Sequence, residues 1–136
     1  MKTSSKYIHP ITLKAALEVA CNLRSDDFRE ISEGHGLDPL TYLAAMSSYP
    51  SAVYFTSPSG KAAGMAGVGK KGDIWMLCTN EIHNTPILFS RQAKRFVDSR
   101  TEPLLWNIVD SRNKAHLRLL KFLGFKFLRK LKHGPN

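Results

Sequence analysis

Five groupings of residues in this chain have the types and spacing that could do chemistry. Cys78 is a potential nucleophile if a histidine stands near it to take the thiol proton. It lies inside the apolar run Asp73–Thr79, however, and a cysteine in such a run fits a small core residue better. His9, His35, His83, His116 and His133 are scattered, with no H-x-x-x-H or C-x-x-C spacing, so no metal site is expected. Gly67-Val68-Gly69-Lys70-Lys71-Gly72 matches G-x-G-x-x-G. A dinucleotide fingerprint must open a helix whose N–H groups meet the phosphates, and here a strand-like run follows, so the glycines fit a hairpin turn. No G-K-[ST] follows, which excludes a P-loop. The acids Asp26, Asp27, Glu30 and Glu33 could receive a cation, but read more simply as a solvated helix start favoured by the helix dipole. Lys114, Arg118 and Lys121, at i, i+4 and i+7, make a basic stripe on a helix that Asn113 opens, where free N–H groups favour an anion.

The elements that must position these residues follow from periodicity and breakers. Lys6–His9 reads as a short strand ended by Pro10, and Thr12 as the N-cap of a helix whose apolar face is Leu13, Ala16, Leu17, Ala20 and Cys21. Ser25–Glu33 reads as a capped turn or short helix closed by Gly34-His35-Gly36, and Pro39–Met46 as a further helix ended by Pro50. Ala52–Thr56, Ala62–Val68 and Asp73–Thr79 are strands joined by turns at Ser57–Gly60 and Gly69–Gly72. Thr85-Pro86 opens a helix with Phe89, Ala93, Phe96 and Val97 on one face. Leu104–Val109 is a strand, Asn113–Leu123 a helix with Gly124 as its left-handed cap, and Phe125–Leu131 a last strand. The expected fold is α/β in the order β-α-α-β-β-β-α-β-α-β, one domain over residues 1–136.

Composition sets the outer bounds. The 136 residues are 43% hydrophobic and 10% aromatic, enough for a core without staples, and two cysteines make no disulfide scaffold. No apolar run nears the roughly 18 residues that span a bilayer, and the polar start lacks a signal-peptide core, so a cytosolic protein is expected. The net charge of +9 is uneven: residues 1–50 carry five bases and six acids, residues 51–136 fifteen bases and five acids. That polarity fits an anionic partner or a solvated basic face equally. A nucleic-acid partner is disfavoured because few aromatics interleave with the bases, and nothing points to a membrane.

The run Leu104–Arg112, then Asn113, Ala115–Leu123, Gly124 and Phe125, resembles the end of GCN5-related N-acetyltransferases, where a strand precedes an Asn that opens a helix and Gly-Phe follows. More narrowly, Trp75–Thr79 together with Asn113-x-x-His116-x-Arg118-x-Leu120-Lys121-x-x-Gly124, and the segment Asn22–Asp27, resemble a bacteriophage branch of that fold, small proteins often labelled internal virion proteins. The resemblance implies a central, mostly antiparallel sheet flanked by helices. It implies acetyl-CoA in the splay between Ile74–Thr79 and Leu104–Val109, its pantetheine pairing near Leu77, Cys78 and Thr79 and its pyrophosphate at the start of the helix after Thr85, near Ser90 and Arg91. Asn113 and Arg118 complete the implied cofactor contacts. The family's glycine-rich phosphate loop has no counterpart in His83–Leu88, and its proton-donating tyrosine falls on Leu120. Glu81 is then the leading candidate for a base, with Thr79 and His116 beside it. The implied function is a phage N-acetyltransferase acting on a protein amine, plausibly of the host, in the infected cytoplasm or the virion. The rival reading is a non-catalytic binding or assembly module of the same fold.

Overall fold

A computed structural model of the chain describes residues 6–102, 104–106 and 113–125. Its centre is an antiparallel sheet of four strands in sequential order, β1 (Ile8–Pro10), β2 (Val53–Thr56), β3 (Ala62–Val68) and β4 (Ile74–Cys78). Both faces of the sheet are covered, which explains why β3 reads as an unbroken run of small and apolar residues, all buried. On one face Met65 and Leu77 pack against Ala16, Val19, Ile31 and Leu43, supplied by α1 (Leu13–Cys21), α3 (Pro39–Met46) and the π-helical turn Glu30–His35. On the other, Phe55, Ile74, Met76 and Cys78 meet Phe89, Ala93 and Phe96 of α4 (Pro86–Asp98) and Leu123 beyond α5 (Lys114–Phe122). Phe55 packs edge-on to both Phe89 and Phe96.

Three α-helices stand between β1 and β2, because Ser25–Glu33, expected as a capped turn or short helix, is helical: α2 (Ser25–Arg29) runs into the π-turn, which ends at left-handed Gly36. The caps follow sequence chemistry. The side chains of Thr12, Asp38 and Asn113 accept from Ala15, Thr41 and His116 N–H groups. Gly124, at φ 96°, closes α5 with both bonds of a Schellman motif, Gly124 N–H to Lys121 O and Phe125 N–H to Leu120 O. Thr85 differs from expectation: its side chain makes no cap bond, and Pro86 alone marks the start of α4. Of the two expected late strands, Trp106 forms a parallel bridge with Asp73; residues 107–109 and 126–131 lie outside the described residues. Among the described residues no helix is long and apolar enough to cross a membrane.

The G-x-G-x-x-G match is a hairpin. Gly69 N–H bonds Asp73 O, Gly72 N–H bonds Gly69 O, and Gly72 sits at φ 84°, a three-residue loop with a left-handed last residue. A β-carbon on Gly72 would run into the Leu104 carbonyl, and one on Gly67 into the Trp75 indole. Gly67→Ala should therefore destabilise by about 1–3 kcal/mol through overpacking. Gly72→Ala should lose at least as much, by adding a strained φ to a clash with backbone. Urea unfolding of both variants checks this, and NADH should leave the fluorescence of Trp75 and Trp106 unchanged.

Candidate functional site

Residues on opposite edges of a β-strand alternate, so β4 offers its neighbours two sets of backbone groups. Thr79 N–H donates to Ala63 O at one end and Gly69 N–H to Asp73 O at the other, which turns the backbone of residues 75, 77 and 79 toward β3. The expected ligand pairing at Leu77 and Thr79 is thus replaced by β3 itself. The free-facing edge is that of Ile74, Met76 and Cys78. At its start Ile74 N–H bonds Trp106 O, and Trp106 N–H bonds Gly72 O. At its end the edge is closed by α2 and the loop before it: Cys78 O accepts from Arg24 N–H at 2.9 Å, and Cys78 N–H donates to Asp27 Oδ2 at 2.7 Å. Among the described residues this edge is thus held by Trp106 at its start and by Arg24 and Asp27 at its end, with a wedge of side chains between them.

Asp27 is the hub of that wedge. It is 1% exposed, and its Oδ1 accepts from Asn113 Nδ2 at 2.7 Å and from Arg24 Nη1 at 3.2 Å. Arg24, also buried, donates through Nη1 to Asn113 Oδ1 at 3.3 Å and through Nε to His83 Nε2 at 3.3 Å. Because an arginine only donates, this His83 nitrogen carries a lone pair. Asn113 is fully buried; its oxygen caps α5 while its amide holds Asp27. Burial pushes the Asp27 carboxyl above its ordinary range, against the pull of His116, Cys78 N–H, Asn113 and Arg24. His116, one turn into α5, is buried, with Nδ1 3.7 Å from Glu30 Oε1 and Nε2 without a hydrogen-bond partner. Asp27, Glu30 and His116 present ligand atoms within 4.8 Å of one another. Both Asp27 oxygens are already bonded and a guanidinium adjoins them, so the donor set does not suit a zinc ion, which takes three or four protein ligands.

The sequence candidates fall into two groups. Asn113, His116 and the Cys78 backbone converge on Asp27. Glu81 lies instead on the 3₁₀ turn Asn80–His83 with its carboxylate over the β2–β3 turn, accepting from Ser59 Oγ at 3.3 Å and Asn84 Nδ2 at 3.1 Å. The Ser57 hydroxyl, then Asn84 and Ser59, hold its carboxyl below the ordinary range, which makes Glu81 a weaker base than a free glutamate. Thr79 is buried and its hydroxyl is spent on Ala62 O and Glu81 N–H, capping that turn. Leu77 points into the α1–α3 layer. Ser90 is half-buried and Arg91 exposed on α4, where Arg91, Lys94, Arg95, Asp98 and Ser99 line a shallow depression of about 440 Å³. Arg118, with Lys114 and Lys121, is exposed, as the stripe requires. The solvated-cluster reading of the acids is corrected for Asp27, whose burial is made possible by Arg24 three residues earlier and by partners 51 and 86 residues away. Arg24 and His83 join this network without having been sequence candidates, and Asp27 and Glu30 enter it from the acidic cluster; the signal for Arg24 is the Asn22–Asp27 segment in which it stands.

With this geometry in view, one solved structure is informative: the crystal structure of a GCN5-related N-acetyltransferase from Sphaerobacter thermophilus, with a TM-score of 0.57 at 14% identity, covering 91% of this chain and 45% of that one. The fold is GNAT-like. The chain spans less than half the length of that neighbour. No family profile and no curated protein matches the sequence.

Two outcomes follow from the site. Asp27→Asn presents an NH2 group to the donors of Arg24 or Asn113 and leaves Arg24 without its buried counter-charge, so it should lose about 3 kcal/mol or more in urea unfolding. Because the folded-state pKa of Asp27 is raised, the native state binds its proton first. Its contribution to stability is therefore largest in acid and falls as pH rises through that pKa, and the gap between wild type and variant should narrow accordingly. The Cys78 thiol is buried and pushed well above its ordinary pKa by desolvation and by Asp27, whereas Cys21 is exposed. A thiol reagent at pH 8 should label Cys21 alone in the folded protein and both cysteines in urea.

Proposed function

We propose that this chain is an acetyl-CoA-dependent N-acetyltransferase that modifies an amine of a protein, and that it is a bacteriophage product acting on a host protein in the infected cytoplasm or carried in the virion. The observation that carries the reading is the β4 edge: on a GNAT-like sheet, the following segment pairs with β4 at Ile74, while α2 takes over at Cys78. Between them Ile74, Trp75 and Met76 line a crevice with Leu120 and Leu123 of the α5 region and with buried His116, whose Nε2 has no hydrogen-bond partner. An unpartnered buried polar atom there fits a ligand that brings a polar group into the crevice. The residues that would hold acetyl-CoA are the Met76 backbone, the first turn of α4 and its basic face at Arg91 and Lys94, where cations and helical N–H groups suit phosphates. Bound, the thioester would supply an activated acetyl group. The resemblance of Trp75–Thr79, Asn113–Gly124 and Asn22–Asp27 to a phage branch supports the source and the setting.

A second reading, a non-catalytic binding or virion-assembly module, is favoured by one observation. Asp27 already holds the Cys78 N–H, so the end of the β4 edge is bolted to α2 by a buried carboxylate.

Calorimetric titration separates the two. Acetyl-CoA and CoA should bind the wild type with micromolar affinity, and Arg91→Glu should weaken binding roughly tenfold, the worth of one charge-assisted contact. Lys61→Glu, an equal charge change in the β2–β3 turn, should have a much smaller effect. Absence of binding by both ligands rejects the acetyltransferase reading in favour of the assembly module.

A further inference from the structure

Among the described residues, two buried ring nitrogens on or beside β4 have no hydrogen-bond partner, Trp75 Nε1 and His116 Nε2, and of these side chains only the imidazole can both take up and give a proton. Asp27, Arg24 and Asn113 bond one another and the Cys78 backbone, but His116 Nε2 has no partner although the ring is only 8% exposed. An orphaned buried ring nitrogen costs about 1–3 kcal/mol relative to a bonded one, so its retention calls for a reason. The ring lies in the lining of a cavity of about 10 Å³, together with Ile74 and Met76 of β4 and Leu120 of α5. Such a space admits about one water or one ligand atom. The opposite ring nitrogen, Nδ1, faces the Glu30 carboxylate at 3.7 Å. A carboxylate on one side of an imidazole places the proton on the facing nitrogen and leaves the far one with its lone pair, the arrangement of a base oriented by a third group.

We propose that His116, oriented by Glu30, is the proton-transfer residue of the β4–α5 crevice, with Nε2 as the exchanging atom; this rests on the acetyl-transfer reading above. In the step it serves, the amine nitrogen bonds to the acetyl carbonyl carbon and the carbon–sulfur bond breaks. The proton lost by the amine passes to His116 Nε2 and from there to the departing thiolate sulfur, so that amide and free thiol form and the ring returns to its starting state. Leu120, one turn further along the same face of α5, has no proton to give, and the Glu81 carboxylate is tied over the β2–β3 turn. Among the described residues, the charged groups around the ring are Glu30 from the π-turn and Asp27 from α2, the latter paired with Arg24. Glu30 is a positioning residue, since it acts through the ring.

The test joins nitrogen NMR of the histidine rings with thiol release. In the wild type His116 should be the Nδ1–H tautomer when neutral. Glu30→Gln should shift its tautomer balance toward Nε2–H, and acetyl-CoA should move the Nε2 resonance. With acetyl-CoA and poly-lysine as the probe, His116→Gln should lower kcat at least about 100-fold, the usual worth of a positioned acid–base group, while the KM for acetyl-CoA changes only a few-fold. An Nε2–H tautomer indifferent to Glu30→Gln overturns the proposal even if His116→Gln fails to fold. So does unchanged kcat in His116→Gln, or wild-type protein that binds acetyl-CoA and releases no thiol. If the wild type binds no acetyl-CoA, the functional reading fails by itself, and the NMR result alone decides the dyad.

Discussion

Taking the Asp27 carboxylate out of water is the step on which this structure turns. A buried carboxylate is tolerable only when its lone pairs are filled and its charge is offset. Here the two oxygens collect donors from three places, the Cys78 amide of β4, the Asn113 side chain at the head of α5 and the Arg24 guanidinium at the head of α2. None of these elements can shift without leaving a donor or the carboxylate unmatched. The same carboxylate ends the pairing edge of β4, sets the start of α5 through Asn113, and so fixes where His116 points. Packing on the two faces of the sheet supplies the bulk of the burial, but it is indifferent to the position of a crevice; the hydrogen-bonded hub is not.

Asn113 shows how one side chain couples local to long-range order. Its oxygen completes the first turn of α5 by accepting from His116 N–H, which any good capping residue could do. Its amide nitrogen reaches Asp27, which serine, threonine or aspartate at that place could not do with the same geometry. The cap and the hub therefore favour asparagine together, for two different reasons, and only the first is local.

That difference explains which features could be read from the chain. The Thr12 and Asn113 caps, the Gly124 terminus, the Gly69–Gly72 hairpin and the buried Cys78 all follow from chemistry within a few residues, and each stands as the sequence suggests. Asp27 was read as solvated because its neighbours Asp26, Glu30 and Glu33 form a pattern typical of an exposed helix start. What buries it are partners 51 and 86 residues away, and periodicity carries no trace of them. The π winding that follows the short helix at Ser25 is hidden for a related reason. Ser25–His35 changes from α to π winding at Glu30, and a winding change within one apolar pattern leaves no breaker to mark it.

The π-turn also bears on the site. Asp27 and Glu30 still stand on α-helical winding relative to each other, since Glu30 N–H bonds the Asp26 and Asp27 carbonyls, and one oxygen of each lies within 4.8 Å of the same His116 ring nitrogen. In a continuous α-helix residues three apart share a face and would compete for one partner. The two carboxylates nonetheless serve different partners: Asp27 takes the permanent donors Cys78 N–H, Asn113 and Arg24, and Glu30 faces His116. The separation leaves one acid locked in the frame and the other beside a ring that can gain or lose a proton. A short helix that looks like mere surface in the sequence thus supplies both the bolt that closes the end of β4 and the carboxylate that orients the histidine beside it.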